Sequence, residues 1–267
     1  MNDAIRKPAV AGTFYPDDPT LLREMVERML NAAKVSSELP PKAVVAPHAG
    51  YIYSGPFAAY AFKTLLPLFG AEPTVFLLGP AHFVAFNGVS TGRFTAWETP
   101  LGIVPVAVDR VREVLNLGYP FTDVSEPLIP EHSLEVELPF LQVVLGSFRI
   151  VPLAFGIVNP IGVAQKLLGV LREGDIIVVS TDLSHYYPDP VARKLDAETL
   201  KIALRNDAEA LMEREACGRY AWATLAAIAR EMGWTPTLLA YGTSADTAGD
   251  PDSVVGYAAL RYDALTL

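Results

Sequence analysis

Several features are scarce in this 267-residue sequence, and each scarcity excludes a class of protein. There is one cysteine, so no disulfide can form within the chain. The 21 Lys and Arg side chains are outnumbered by 30 Asp and Glu, and no basic run occurs, so we expect no nucleic-acid partner and no membrane attachment. Apolar stretches stay well short of the ~20 residues of a membrane span, and the first residues lack the apolar core of a signal peptide. We therefore expect a soluble, cytoplasmic protein.

The sequence does have a high apolar content of 51%, distributed in alternating strand-like and helix-like segments. Continuous apolar strands between amphipathic helices favour a sheet that is covered on both faces. We predict one α/β domain spanning 1–267, with a mostly parallel central β-sheet flanked by helices. Strands are predicted at 43–47, 74–80, 149–156, 175–180, 236–242 and 254–262, helices at 19–34, 56–68, 109–117, 133–145 and 160–172, two or three helices within 189–232, and short β segments within 86–108.

Three of the four histidines follow predicted buried strands by a few residues. His48 follows the strand at 43–47, His82 the strand at 74–80, and His185 the strand at 175–180. Ligands of such sheets bind outside the carboxyl ends of the strands, and adjacent strand ends lie about 5 Å apart. We therefore predict that these histidines share one site. The fourth, His132, precedes a predicted helix.

Asp182 and three glutamates accompany the histidines. Asp182 lies three residues before His185, where it could orient the imidazole or simply cap the next turn. Glu131, Glu135 and Glu137 flank His132, and we expect at least some of them to form a solvated helix face.

Cys217 is the other residue with reactive chemistry. It directly precedes an Ala-rich helical pattern and lies close to Arg219, so its pKa is expected to be lowered towards the thiolate, a metal ligand or a nucleophile. The alternative is a small buried hydrophobic side chain.

Taken in order, the motifs of this chain resemble those of the Memo family. The resemblance covers essentially the whole chain and is carried by RKPAVAGTFYP, PHAGYIYSG, LLGPAHF, WETPLG, EHSLEVELPFLQ, STDLSHY, CGR and YGTSAD…VVGYAAL. It implies a fold like that of class III extradiol dioxygenases of the LigB type, which are non-haem iron enzymes. Bacterial and archaeal members are called AmmeMemoRadiSam system protein B, which implies AMMECR-type and radical-SAM partner proteins.

The resemblance also implies a metal pocket. Its ligands would be His48, His82 and Cys217, and the metal would be iron or copper. His185 and Asp182 would sit beside the site as acid/base and orienting groups, and His132 would line the same cavity. Extradiol enzymes hold Fe(II) with two histidines and a carboxylate, whereas a thiolate favours Cu(I), zinc or a different iron redox balance.

Three functions are compatible with these residues. The first is a metal-dependent redox or oxygenase-like enzyme acting on a small substrate. The second is a ligand- or protein-binding module that retains a relic dioxygenase pocket. The third is a hydrolase that uses Cys217 as nucleophile or zinc to activate water.

Overall fold

We describe the protein from a computed structural model that covers residues 4–264. The outermost three residues at each end of the predicted domain lie outside this range. The helices are α1 Pro19–Ala32, α2 Tyr51–Lys63, α3 Val108–Asn116, α4 Leu138–Leu145, α5 Pro160–Leu168, α6 Asp189–Ala203, α7 Ala208–Leu211 and α8 Arg219–Met232, with 3₁₀ turns at Leu66–Leu68, Glu135–Glu137 and Ser244–Asp246. The strands are β1 Ile5–Arg6, β2 Ala43–Ala46, β3 Thr74–Pro80, β4 Val89–Ser90, β5 Ala96–Thr99, β6 Gly102–Pro105, β7 Phe121–Thr122, β8 Arg149–Phe155, β9 Ile176–Ser180, β10 His185–Tyr187, β11 Trp234–Thr243 and β12 Val254–Ala264.

The central sheet has nine strands. Their order is β10-β12-β2-β9-β3-β8-β4-β7, and β11 also pairs with β12. The four central strands β2, β9, β3 and β8 are parallel, while β12 joins β2, and β4 joins β8, in antiparallel fashion. The predicted α/β class is confirmed, and its parallel part is the middle of the sheet.

Helices cover both faces of the central strands. Every residue of β2, β3 and β9 is buried, as expected for strands without a solvent-facing side. Helices α1, α2 and α4 pack together, with α2 against β2 and β12, while α8 packs with α5 and α7 and lies on β3 and β9. Within residues 4–264, no helix is long and apolar enough to cross a membrane.

The segment 86–108 forms the short strands that its turn-rich sequence predicts. It contributes β4 to the antiparallel edge of the main sheet, and β5 and β6 to a separate three-stranded sheet with β1. The helix predicted at 56–68 begins earlier, at Tyr51, and runs through Pro56 to Lys63. Its first turn is held by a hydrogen bond from the Tyr51 N–H to the Phe14 carbonyl, 2.8 Å.

Candidate metal site and pocket

The loops that follow β2, β9 and β3 lie side by side because these strands are adjacent and parallel. They open into a cavity of about 750 Å³. The structure places all of the residues selected from the sequence in its lining, namely His48, His82, His132, Asp182, His185 and Cys217. The strand-exit geometry thus brings together His48, His82, Asp182 and His185, while His132 and Cys217 reach the cavity from segments that precede helices.

Three histidines form the centre of this cavity. One ligand atom each from His48, His82 and His132 lies within 4.8 Å of the others. The rings of His82 and His132 stack at 4.8 Å, and the ring of His48 meets both edge-on. Imidazole nitrogens at this spacing suit a transition metal ion.

His48 is held by a serine at the end of β9. Its Nδ1 lies 2.7 Å from the Ser180 hydroxyl, which donates its own proton to the Ser133 carbonyl at 2.6 Å. Since a hydroxyl has one proton, Nδ1 of His48 must carry the hydrogen of this contact, which leaves Nε2 with a free lone pair. Burial, followed by the nearby His82, holds the pKa of His48 well below its usual range, so the ring stays neutral.

His82 is held by the carboxylate of Glu131, a side chain that is fully buried. The Oε1 atom lies 2.9 Å from Nδ1 of His82, and it accepts the backbone N–H groups of His132 and Ser133 at 2.8 Å each. The Oε2 atom accepts the backbone N–H of His82. Although burial acts to raise the pKa of Glu131, these contacts, led by the His82 hydrogen bond, hold it at about 2. The carboxylate thereby directs Nε2 of His82 into the cavity, as the outer partner of a metal-bound histidine commonly does.

His132 completes the group and is the least restrained of the three. Its buried Nδ1 atom has no hydrogen-bond partner within residues 4–264, although Glu131 Oε1 lies 3.2 Å away. Its ring packs between Phe14 at 4.8 Å and Phe83 at 5.8 Å. Burial and the neighbouring His48 lower the pKa of His132 to about 4, so this ring is also neutral near pH 7.

Cys217 lies next to this group but is not one of the three clustered donors. Its Sγ is 3.2 Å from Nε2 of His48 and accepts the Asp182 N–H, also at 3.2 Å. The expectation of a lowered pKa is wrong. Burial, followed by the Asp182 carboxylate, raises the pKa of this thiol, and the guanidinium of Arg219 lies over the Tyr220 ring. The neutral thiol donates to the free lone pair of His48.

Asp182 serves a different partner from the one expected. Its Oδ1 accepts the backbone N–H of His48 at 2.8 Å, and its Oδ2 lies 3.9 Å from the His48 ring. No hydrogen bond joins Asp182 to His185 in the part of the chain that the structure describes. Burial raises the pKa of Asp182.

Asp196 instead supports the backbone next to His185. This buried carboxyl accepts the backbone N–H of Ser184 and the hydroxyl of Tyr241, both at 2.9 Å. Burial raises its pKa. Asp196 fixes the short strand that presents His185 to the cavity.

The glutamates around His132 are buried, which corrects the expectation of a solvated face. Glu131, Glu135 and Glu137 are each at most 1% exposed, because the 3₁₀ turn that carries the last two is covered by the N-terminal segment. Glu135 forms an ion pair with Arg6 at 2.7 Å and accepts the Tyr15 hydroxyl at 2.7 Å. It therefore anchors the N-terminal segment beside the loop of His132.

Sequence reasoning missed the supporting roles of Glu131, Ser180 and Asp196. Glu131 offered a signal in its position beside His132, and Ser180 in ending an otherwise apolar strand. Asp196 lies on an amphipathic helix and gave none.

The donor set fits a transition metal ion. Two of the histidines have their Nδ1 atoms engaged by Ser180 and Glu131, which leaves the Nε2 lone pairs for a metal, with that of His48 contacted by the Cys217 thiol, and the third has an unpartnered buried nitrogen. The rings of His48 and His132 are neutral, and the ring of His82 is hydrogen-bonded to the Glu131 carboxylate. Metal binding requires neutral imidazoles and is favoured by such a carboxylate partner.

Comparisons with known proteins establish the family and the fold. A family model described as Memo-like protein matches residues 6–261. MEMO1 family proteins of Methanopyrus kandleri and Aquifex aeolicus are both 36% identical, over 96% and 97% of this chain and 98% and 99% of theirs. The crystal structure of uncharacterized protein JW3007 from Escherichia coli K12 shares the fold, with a TM-score of 0.51 at 14% identity over 82% of this chain and 98% of that one. This chain therefore belongs to the Memo family.

Proposed function

We propose that the protein binds one iron or copper ion at His48, His82 and His132 and catalyses a redox or oxygenase-like reaction on a small substrate. The observation that carries this proposal is the convergence of three imidazole donors within 4.8 Å in the lining of a cavity of about 750 Å³. A cavity of this size suits a small molecule. Such an ion, when bound, would supply electron transfer and dioxygen chemistry.

The surrounding residues would prepare the site. Ser180 and Glu131 hold two imidazole rings in the tautomer that presents Nε2, so no ring needs to reorient when metal binds. His185 is the fourth histidine of the cavity, lies outside the three-donor group, and would move protons to and from the substrate. Cys217 would be a further ligand after loss of its proton, since its sulfur already contacts His48.

Metal analysis of histidine variants tests the proposal. The chain would be reconstituted anaerobically with Fe(II) or Cu(I), desalted, and analysed for metal and by electron paramagnetic resonance after oxidation. We expect about one ion per chain in the wild type and strong loss in His48→Ala, His82→Ala and His132→Ala. His185→Ala is the matched control and should keep its metal. Equal metal content in all four variants would refute the proposed site.

A Cys217 nucleophile is a second candidate, because its sulfur lies 3.2 Å from an imidazole nitrogen. The raised pKa of the thiol works against it. A covalent adduct on Cys217 formed by an acyl ester, without any metal requirement, would favour this alternative. A protein that holds metal but shows neither redox change nor turnover would favour the binding module.

The cellular setting that we propose rests on the family resemblance. It places the protein in the cytoplasm, where it would act with radical-SAM and AMMECR-type partner proteins. Co-purification of tagged protein from its native host tests this setting. The control is His132→Ala, a variant that is altered only inside the cavity.

A further inference from the structure

One part of the cavity lining differs in chemistry from the part that the three histidines form. Tyr186 is 76% exposed, Asp250 is exposed and Tyr53 is partly exposed, and all three line the cavity. We call these three residues the mouth.

The loop that carries Asp250 is tied to both sides of the mouth. On one side the Thr247 hydroxyl donates to the Tyr53 carbonyl at 3.0 Å. On the other side the Asp189 N–H, three residues after Tyr186, donates to the Pro251 carbonyl at 2.9 Å. These two contacts hold the backbone of this loop at the mouth, and the Asp250 Oδ1 accepts the Asp252 N–H at 2.9 Å.

Tyr186 is placed there at a conformational cost. Its φ is 64°, in the left-handed region that a residue with a side chain seldom adopts. The conformation sits in the irregular register by which β10 pairs with β12, and its ring meets the His185 ring edge-on at 5.7 Å. Tyr186 therefore lies at the entrance of the cavity with its side chain largely exposed.

The cavity lining carries acidic side chains and no Lys or Arg among the residues that the structure describes. Asp182 lies deep and Asp250 lies at the mouth. The nearby Arg219 lines a separate, smaller cavity of about 200 Å³. An anionic substrate would find no side-chain cation to pair with, whereas a cation would meet a carboxylate and aromatic faces.

A tyrosine hydroxyl deeper in the cavity is also available to a ligand. Tyr257 on β12 is 1% exposed and lines the cavity, and none of the side-chain hydrogen bonds within residues 4–264 involves its hydroxyl. This hydroxyl is not fully enclosed by protein atoms, so it can donate its proton to a ligand in the cavity. Burial, followed by the Asp182 carboxylate, raises the pKa of this phenol, so it remains a donor at neutral pH.

We propose that the cavity binds a small organic amine, with its ammonium group between Tyr53, Tyr186 and Asp250 and a polar group at its other end hydrogen-bonded to Tyr257. This inference deepens the proposed function, because it takes the cavity to be the substrate site. It names the charge that the substrate carries and the end of the cavity that recognises it.

Three probes of one shape test the inference: tyramine, 4-ethylphenol and 4-hydroxyphenylacetate, which are cationic, neutral and anionic at pH 7. Each is titrated into chelator-treated full-length protein at low salt, and binding is followed by the NMR signals of the histidine and tyrosine rings. Metal is omitted, so the result does not depend on the metal site. We expect tyramine to bind at least tenfold more tightly than 4-hydroxyphenylacetate, with 4-ethylphenol between them.

Variants locate the recognition. Asp250→Asn should weaken tyramine about fivefold and leave 4-ethylphenol unchanged, as expected for one charged contact. Asp252→Asn removes an exposed carboxylate two residues away that does not line the cavity, and should change nothing. Tyr257→Phe should weaken tyramine and 4-ethylphenol equally.

Three outcomes would overturn the inference: equal or tighter binding of 4-hydroxyphenylacetate, an unchanged tyramine affinity in Asp250→Asn, or no saturation by tyramine up to 20 mM. The metal analysis of the histidine variants is a separate measurement, so failure of the amine site and failure of the metal site can be told apart.

Discussion

Replacing Glu131 by Gln keeps the shape of the side chain and exchanges one acceptor oxygen for an NH₂ donor. Every neighbour of this carboxylate is a donor: the His82 ring and backbone N–H groups, and the backbone N–H groups of His132 and Ser133. Oε1 faces three of them and Oε2 faces one. The amide would therefore place its NH₂ at the Oε2 position, opposite the His82 backbone N–H. Two buried donors would then face each other without an acceptor.

The size of the effect follows from the contacts. A buried donor without a partner costs roughly 1–3 kcal/mol, and two are created, so we expect about 3 kcal/mol of lost stability at pH 7. The pKa of Glu131 gives a similar figure. It falls from 4.5 to about 2 on folding, which corresponds to about 3 kcal/mol that is present above pH 4.5 and lost as the pH falls towards 2. The Glu131→Gln variant has no carboxyl to titrate here, so its free energy of unfolding lacks this pH-dependent contribution.

Urea unfolding and zinc competition measure the two consequences. Glu131→Gln should lower the free energy of unfolding by about 3 kcal/mol and weaken zinc binding 10- to 100-fold, because the His82 ring loses a charged partner. Glu126→Gln alters an exposed glutamate of the same connecting segment and should leave both values unchanged. A variant at Glu131 that stays within 0.5 kcal/mol of the wild type, with unaltered zinc affinity, would refute the assigned role.

Three other perturbations have definite expected results. Ser180→Ala removes the acceptor of the His48 Nδ1 hydrogen and should weaken zinc binding about tenfold, measured by chelator competition; an unchanged affinity would contradict the tautomer assignment. The pKa of His132 falls from 6.5 to about 4 on folding, so between these pH values only the unfolded chain takes up this proton. The neutral His132 ring therefore contributes about 3 kcal/mol to the stability of metal-free protein above pH 6.5, and this contribution should be lost as the pH falls to 4. The free energy of unfolding of His132→Phe should depend less on pH in this range. Cys217 should react with iodoacetamide at pH 7 much more slowly in the folded protein than in urea, because its raised pKa keeps it protonated; similar rates would argue for a thiolate.

The parts of the fold that could be predicted are those that local pattern determines. The strand at 74–80 matches β3 in both bounds because its apolar run is continuous and bounded by Pro and Gly. The start of α2 could not be predicted, since Tyr51 is anchored by the carbonyl of Phe14, far away in the chain. Its sequence offered Pro56 as a typical first-turn residue instead.

For the site, too, sequence order predicted which residues come together, whereas tertiary contacts decide their charge. The strand-exit rule brought His48, His82 and His185 to one cavity because parallel order alone decides where strand ends lie. The charge states could not be predicted, because they depend on tertiary partners. Glu131 is ionised through its contacts with His82 and with the backbone of His132 and Ser133, and Cys217 is neutral through burial that outweighs its place before a helix.

His48 and His82 follow β2 and β3, which become neighbours through β9, and His132 lies in the segment before α4, so the three donors come together only in the folded protein. In the unfolded chain, residues 48, 82 and 132 are separated by long flexible segments, so the ligand set exists in the native state alone. A metal ion that binds there would bind the native state and not the unfolded one, and at 100 times its dissociation constant it would add about 2.7 kcal/mol to the free energy of unfolding. The melting temperature would then rise with free metal concentration, which makes thermal unfolding a direct measure of site occupancy without any knowledge of the reaction.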